Sequence, residues 1–205
     1  MNLEKLGNYV KVIGGYAFKS EDFTESGNPV IRISDISNGS VQLEKAAKIE
    51  TSKIGKGINY KIEKGDILIA MSGATTGKIG VVPNDIDCEI YQNQRVGNFK
   101  ILNPKKLDKK YLRFILLSPS YQRNIQTTMA GAAQPNISSS QLESFEIPLP
   151  PLPEQKRIAE VLDARTHCAK NAVLRSINST RCCNPFSLRC LAIRCGIRKV
   201  GRLGY

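Results

Sequence analysis

Short apolar runs separated by turn residues fill much of the first half of the chain. The segment Ile67–Met71 is continuously apolar, which is typical of a strand that is buried on both faces. Asn38–Gly39 is a strong signal for a tight hairpin turn. The same pattern predicts further strands at Val30–Ile33, Lys78–Val82, Cys88–Tyr91 and Val96–Leu102.

A helical pattern replaces the strand pattern later in the chain. Leu107, Tyr111 and Leu116 fit one buried helical stripe. Ser118–Pro119–Ser120 interrupts this stripe, so two helices are predicted before Met129. Strands and helices do not alternate regularly, which argues against a doubly wound sheet. We therefore predict an α+β (mixed α/β) fold with a twisted, partly barrel-like sheet and short helices, followed by a long C-terminal connecting helix.

A proline-rich strap marks the end of the predicted domain. The segment Ile147–Pro153 holds four prolines in seven residues, so neither a helix nor a central strand is possible there. Pro153 and Glu154 suit the first turn of a helix that is predicted to run from Leu152 to about Ile177. We expect a folded domain at 1–150, a strap and connecting helix at 151–180, and a tail at 181–205.

The net charge of +12 invites a nucleic-acid interpretation, but the charge is unevenly spread. Nine of the 30 basic residues, and no acidic residue, follow Asp163. The first 163 residues carry 21 basic and 18 acidic residues, a net charge of +3. A DNA-binding face on the domain must therefore come from local clustering of cations.

Five of the six cysteines also follow Asp163, and their spacing does not form the paired Cys-x-x-Cys sets of a zinc site. We predict no metal site. The chain shows neither an N-terminal apolar leader nor a long apolar run, so we expect a cytoplasmic location and no membrane contact. Near Ala164 the acidic residues disappear and cysteines become frequent. This change favours the hypothesis that the tail is out-of-frame coding or another recent rearrangement.

Two motifs surround the start of the strap. The first is Gly-x-x-Gln-x-x-Ile-Ser-x-x-x-Leu, at Gly131, Gln134, Ile137, Ser138 and Leu142. The second is Ile-Pro-Leu-Pro-Pro-Leu-x-Glu-Gln-x-x-Ile, at Ile147–Leu152, Glu154, Gln155 and Ile158. Together they resemble the end of a target recognition domain in the DNA-specificity (S) subunit of type I restriction–modification enzymes. The segments Gly14–Ile36, Lys64–Val82 and Tyr91–Phe99 agree, and the resemblance covers roughly residues 1–163.

This resemblance implies a recognition subunit that binds double-stranded DNA and performs no catalysis itself. Such a subunit carries two recognition domains, each reading half of a split site. Its helices dock the methyltransferase (M) subunit, and through it the restriction (R) subunit. Only one strap is present, so we expect a half-length or truncated version, in which two copies could pair through the C-terminal helix. The expected partner-binding residues are Glu154, Gln155, Ile158 and Leu162, and no cofactor is expected.

Two loops are the main candidates for DNA contact. Gly73–Lys78 resembles a phosphate-binding loop, but its glycines are one residue too close and Ile79 replaces the Ser/Thr. It is either a plain hairpin loop or a loop that approaches a DNA phosphate. Gln92–Arg95 offers side chains that read base edges, although an amide-rich turn is the alternative. The full set of candidates is Lys19, Ser20, Arg32, Ser72, Thr75, Lys78, Gln92, Arg95, Gln134, Asn136 and Ser138, with helix capping as the alternative for Ser138.

Two other functions stay open from the sequence. In the first, the chain is a protein-interaction decoy that has lost DNA binding. In the second, it is a small stand-alone nuclease. The carboxylates Asp85, Asp87 and Glu89 lie close together but lack the lysine of a metal-dependent nuclease core. This absence argues against the nuclease.

Overall fold

A computed structural model describes residues 2–37, 39–131 and 133–181, with side chains described as far as residue 166. The chain divides into one unit of residues 1–159 and a second of residues 160–205. Most of the tail predicted at 181–205 lies outside the described residues. The proposed three-part division stays a prediction. No helix among the described residues is long and apolar enough to cross a membrane.

Two larger sheets and one small sheet form the first unit. The strands are β1 (Leu3–Lys5), β2 (Val10–Gly14), β3 (Phe23–Thr24), β4 (Asn28–Ile31), β5 (Ile36–Ser37), β6 (Gly39–Val41), β7 (Ala47–Ile49), β8 (Lys61–Ile62), β9 (Ile67–Ala70), β10 (Ile79–Val81), β11 (Ile90–Gln92), β12 (Val96–Ile101) and β13 (Glu146–Pro148). The larger sheets have the orders β2-β12-β9-β10-β6-β5 and β3-β7-β4-β11-β8, and β1 pairs with β13. Both larger sheets are open, since each order ends in two edge strands.

The α-helices follow all strands of the two larger sheets in the chain, as the sequence predicted. They are α1 (Lys109–Leu117), α2 (Pro119–Met129), α3 (Ser139–Ser144) and α4 (Leu152–Arg181). Asp108 caps α1 by accepting a hydrogen bond from the backbone of Tyr111, and Ser118 caps α2 in the same way. The predicted interruption at Ser118 is therefore the place where one helix ends and the next begins. The mixed α/β class is confirmed.

Strand β9 lies between two core layers. Ile67 and Ile69 belong to the cluster that includes Leu112 and Leu116 of α1, so this face of the sheet is covered by helices. Leu68 and Ala70 belong to the cluster that joins the two larger sheets. Alternate side chains of a strand point to opposite faces, so a strand covered on both sides is apolar throughout. The prediction of a buried strand at Ile67–Met71 is confirmed as far as Ala70.

The strap is extended, as its prolines require. Glu146–Pro148 pairs antiparallel with Leu3–Lys5, so Pro148, the first proline of the strap, lies in a two-stranded sheet and not inside a large one. The hydroxyl of Tyr111 donates a hydrogen bond of 3.0 Å to the carbonyl oxygen of Pro148. Helix α4 begins at Leu152, the predicted residue, and continues to Arg181.

Candidate functional site

The loops that follow several strands meet at one edge of the two larger sheets. Strands β4 and β11 are parallel and end together, at Ile31 and Gln92. In the other large sheet, the last residue of β9, Ala70, pairs with Val96, the first residue of β12. The backbone amide of Met71 donates to the carbonyl of Arg95 at 2.9 Å, so these loops are joined by a direct hydrogen bond. We call this surface the loop edge.

The loop after β9 is held by the loop that precedes α3. The amide of Gly73 donates to the carbonyl of Pro135 at 2.9 Å, and the amide of Ile137 donates to the carbonyl of Met71 at 2.9 Å. Ser72 and Asn136 pair as an isolated β-bridge between these bonds. Two candidates that lie far apart in the sequence are thus brought together.

Three candidate cations lie in loops at this edge. Lys78 and Arg95 are exposed. Arg32 directly follows β4, its side chain is 42% exposed, and its Nε lies 3.6 Å from a carboxylate oxygen of Asp35. Thr75 donates a hydrogen bond of 3.2 Å to the carbonyl of Ile33, which links the loop after β9 to the loop after β4. The loop edge therefore combines positive charge with small polar side chains.

The structure contradicts the predicted base contact by Gln92. Its side chain is 3% exposed. The amide nitrogen donates to the carbonyls of Ile13 and Val96, at 2.7 Å each. Gln92 therefore ties three strands together beneath the loop edge and cannot reach a base. An amide that satisfies backbone groups was the alternative for this segment, and the alternative applies to Gln92.

Ser138 has a structural task as well. Its hydroxyl accepts a hydrogen bond of 3.2 Å from the amide of Gln141, and the Gln141 side chain accepts one of 2.9 Å from the amide of Ser138. This reciprocal capping box begins α3. Gln134 is exposed in the loop between α2 and α3.

Lys19 and Ser20 are exposed near the same edge. They follow Tyr16, which forms a parallel bridge with Asn93 directly after β11. The ammonium group of Lys19 lies 3.3 Å from a carboxylate oxygen of Glu21, and both side chains are exposed. A surface ion pair of this kind is weak and leaves the lysine available to another anion.

A further loop that was not predicted from the sequence lies at this edge: Gly55–Tyr60, which folds as a 3-10 helix. It leads into β8, whose Lys61 pairs with Tyr91, the residue before Gln92. The loop therefore emerges beside Asn93. Its sequence signal is an isolated isoleucine, Ile58, that follows two glycines and two lysines.

Helix α4 does not present all four predicted partner-binding residues. Gln155 has no exposed surface, so the prediction that it contacts a partner is wrong. Its Oε1 accepts from the amide of Asp108 at 2.9 Å, and its Nε2 donates to the carbonyls of Lys106 and Pro150. Ile158 is half-buried and packs against the core cluster that includes Leu112 and Leu116. Glu154 is exposed, and Leu162 is partly exposed in the second unit.

A buried carboxylate, Asp66, lies at the opposite end of β9. It accepts hydrogen bonds from Asn98 at 2.8 Å, Lys100 at 2.7 Å and Lys109 at 3.2 Å. Burial acts to raise the pKa of Asp66, but the hydrogen bonds from Lys100 and Asn98 outweigh it, so the pKa lies below its usual value. This network lines a cavity of about 390 Å³ and joins β9, β12 and α1.

In the described part of the chain, no group of three or more His, Cys, Asp or Glu side chains is placed to hold a metal ion. Of the three neighbouring carboxylates that argue poorly for a nuclease, Glu89 is held by two hydrogen bonds, and Asp87 lies 3.9 Å from the ammonium group of Lys64. Glu89 accepts from Lys61 at 2.6 Å and from the hydroxyl of Tyr91 at 2.6 Å. The pKa of Glu89 is lowered by these hydrogen bonds.

A cationic loop edge on an α/β domain, followed by a strap and a long helix, defines a recognition module. The particular family follows from comparison with known proteins. The chain belongs to the type I restriction modification DNA specificity domain family, whose model matches residues 1–175. The matched family is one of DNA specificity domains.

Two curated relatives illustrate the match. The chain is 32% identical to the type I restriction enzyme MjaVIII specificity subunit of Methanocaldococcus jannaschii over 161 residues, 77% of this chain and 37% of the relative. It is 31% identical to the EcoAI specificity subunit of Escherichia coli over 163 residues, 78% of this chain and 27% of the relative. The chain thus spans about a third of the length of these relatives.

Solved structures show the same fold. The type I restriction–modification S subunit from M. genitalium superimposes with a TM-score of 0.58 and 22% identity, over 87% of this chain and 42% of the other. The HsdS subunit from Thermoanaerobacter tengcongensis gives a TM-score of 0.59 and 20% identity, over 85% and 39%.

Proposed function

We propose that this chain reads sequence in double-stranded DNA through the loop edge, as the specificity component of a type I restriction–modification system. The observation that carries the proposal is the convergence of Arg32, Lys78 and Arg95 at one edge, beside the Ser72–Asn136 bridge. Positive side chains anchor a protein on phosphates, and arginine reads guanine in the major groove. The specificity subunits similar to this chain support the same function.

Arg95 is the proposed base-reading residue. It is exposed, and its backbone carbonyl is fixed by the amide of Met71 at 2.9 Å, which holds the start of its side chain in place. Lys78 is the proposed phosphate contact, because a lysine is a flexible point charge that carries no base preference. Arg32 lies 3.6 Å from the carboxylate of Asp35, so it contributes less to the positive potential of the edge than an unpaired arginine would.

We further propose that α4 docks the methyltransferase subunit, and through it the restriction subunit. Two exposed residues of α4 support this docking proposal. They are Glu154 and Val161, and Val161 is 50% exposed. Reading of one half of a split target is part of the same proposal, because the described residues form one domain with one loop edge. The decoy and nuclease alternatives gain no observation of their own.

Selection from a randomised duplex DNA library tests the proposal. The full chain should enrich one short sequence, and Arg95→Ala should relax the preference at one position of that sequence. Lys78→Ala should weaken binding to all sequences and reduce the slope of log affinity against log salt by about 0.9. Lys105→Ala is the matched control, since Lys105 is exposed but follows β12 at the other end of that strand.

The proposal fails if the full chain binds no duplex DNA at low salt. It fails equally if the Lys78 and Arg95 variants bind and select DNA like the Lys105 control. A uniform loss in all three variants would indicate only a general effect of charge, and would remove the assignment to the loop edge.

A further inference from the structure

The loop Gly55–Tyr60 lies at the loop edge but has no part in the function proposed so far. Strand β8 runs antiparallel to β11, with Lys61 opposite Tyr91 and Ile62 opposite Ile90. The residues before β8 therefore lie beside the residues after β11. Arg95 is in that same β11–β12 connection, so the two loops are neighbours on one edge.

The loop packs against a group of aromatic rings. A Cβ atom added at Gly57 would lie 2.5 Å from two ring atoms of Phe18, so the loop backbone rests directly on that ring. The rings of Tyr16 and Phe18 are 5.1 Å apart in an edge-to-face arrangement, and Tyr60 lies 5.8 Å from Tyr16. Ile54 at the start of the loop is buried, 3% exposed. The position of the loop is therefore fixed by packing at both ends.

The segment that contains this packed loop exposes one apolar side chain and two cations to solvent. Ile58 is 61% exposed. Lys53 and Lys56 are exposed on the same short segment. A single exposed isoleucine is ordinary on a protein surface. Here it follows two exposed lysines on a loop that packs against aromatic rings, beside a cationic edge. This combination suits an anionic partner that also offers apolar atoms.

We propose that the segment 51–60 is a second DNA contact, in which Lys53 and Lys56 bind phosphates and Ile58 touches a base. The inference rests on the proposed function, since it adds a second contact to the same DNA. Duplex DNA offers both features that this loop needs: a phosphate backbone for the lysines, and apolar atoms such as the thymine methyl group or the face of an unstacked base for isoleucine.

The positive charge of the segment 51–60, and its position beside the proposed DNA contacts, favour DNA over a protein as the partner. The loop and the proposed DNA contacts Lys78 and Arg95 share one edge, so a duplex bound there is close to Ile58. A docking site on a protein usually carries several large apolar side chains, whereas the described segment 51–60 exposes one. A protein partner is an outcome of the test below.

The experiment uses the full chain and the duplex that it enriches from a randomised library. Ile58→Ala should weaken binding to that duplex about tenfold, since it removes an apolar contact, and should lower the preference at one base position. Lys53→Ala/Lys56→Ala should leave base preference intact and reduce the salt slope by about 1.8, for two lost phosphate contacts.

Two matched controls stand at the far end of β12. Leu102→Ala removes an exposed apolar side chain, 58% exposed, without touching the loop edge. Lys105→Ala/Lys106→Ala removes the same charge as the loop double variant. Since all these side chains are exposed, thermal unfolding of each variant should match the parent chain, which separates lost contact from lost folding.

The outcomes separate the two proposals. If the parent chain binds no duplex DNA, the proposed function fails and this inference fails with it. If the parent chain binds and Arg95→Ala relaxes its preference, while the loop variants equal their controls, the inference alone is overturned. A loss in Ile58→Ala confined to assays with the methyltransferase subunit would also overturn it, in favour of a protein contact.

Discussion

Gln155 lies in the first turn of α4 with no exposed surface, and its amide bonds to three backbone groups. Two of these groups, Lys106 and Asp108, belong to the loop before α1, and the third, Pro150, belongs to the strap. One side chain thus fixes where the helix leaves the domain. This internal role explains why a glutamine stands at position 155 after the prolines.

Replacing Gln155 should cost much stability. Gln155→Leu keeps the size of the side chain but leaves the amide of Asp108 and two carbonyls without partners, so we expect a loss of about 2–4 kcal/mol in the free energy of unfolding. Urea unfolding followed by circular dichroism measures it. Glu154→Gln, one residue away and exposed, is the control and should change stability by less than about 0.5 kcal/mol. Equal stability of the two variants would contradict the internal role.

Asp66 makes the stability of the domain depend on pH. Its pKa in the folded chain lies below that in the unfolded chain, because hydrogen bonds from Lys100 and Asn98 outweigh the effect of burial. The carboxylate therefore stabilises the fold above its unfolded pKa of about 3.9, and this contribution is lost as the pH falls through the folded pKa.

Asp66→Asn should separate this effect from the other carboxylates. At pH 7 we expect the variant to be about 1–3 kcal/mol less stable than the parent chain, since it loses charged hydrogen bonds. The difference should narrow below about pH 4 as Asp66 is protonated in the parent chain. Thermal unfolding of both proteins between pH 3 and pH 7 measures it, and a difference that is constant across this range would refute the assignment.

At the scale of elements, the join between the two larger sheets depends on a close backbone approach at Gly15. A Cβ atom there would lie 2.2 Å from the carbonyl oxygen of Asn93 and 2.4 Å from that of Gln92. Gly14, the preceding residue, has only the Gln94 oxygen near it, at 3.9 Å. Neither glycine has a positive φ, so Gly15 is needed here for space and not for a sharp bend, whereas Gly14 has room for a side chain.

Gly15→Ala should therefore push β2 away from the end of β11. We expect a loss of about 2–4 kcal/mol in stability, comparable to other overpacking changes, and weaker DNA binding because Asn93 begins the loop that carries Arg95. Gly14→Ala is the adjacent control, with an expected change below about 1 kcal/mol. Denaturant unfolding and DNA binding are measured on both, and equal behaviour would show that the close approach is not required.

The elements were largely predictable from local signals, whereas the site was predictable only in part. The buried run at Ile67–Ala70, the break at Ser118 and the strap each follow from side-chain periodicity or proline geometry. Gln92 was predicted to contact a base and Gln155 to contact a partner, but both side chains are buried. The sequence shows that each residue carries an amide group, but it does not show whether that group is buried. The Gly55–Tyr60 loop was missed because its exposure depends on pairing between β8 and β11, which local sequence does not reveal.

At the scale of the whole molecule, the described residues form one loop edge, and the sequence holds one strap. A single edge reads a short sequence, and its affinity is limited by the few phosphates that it reaches. Two copies joined through α4 would present two edges, and a two-fold protein reads a two-fold site. We therefore predict that the functional form is a homodimer that reads a symmetric split sequence.

Sedimentation of the full chain, alone and with the methyltransferase subunit, measures the assembly. The expected species is a dimer that also binds the methyltransferase, and Val161→Lys should weaken one or both interactions, because Val161 is a large apolar side chain that is 50% exposed on α4. Lys156→Glu, an exposed change on the same helix that alters charge without removing an apolar contact, is the control. The sequence enriched by a dimer should be an inverted repeat separated by a gap, because each copy contributes the same edge in opposite orientation. A monomer that enriches a single ungapped element and ignores the methyltransferase would contradict the prediction, and would leave DNA recognition by the loop edge as the function of the chain alone.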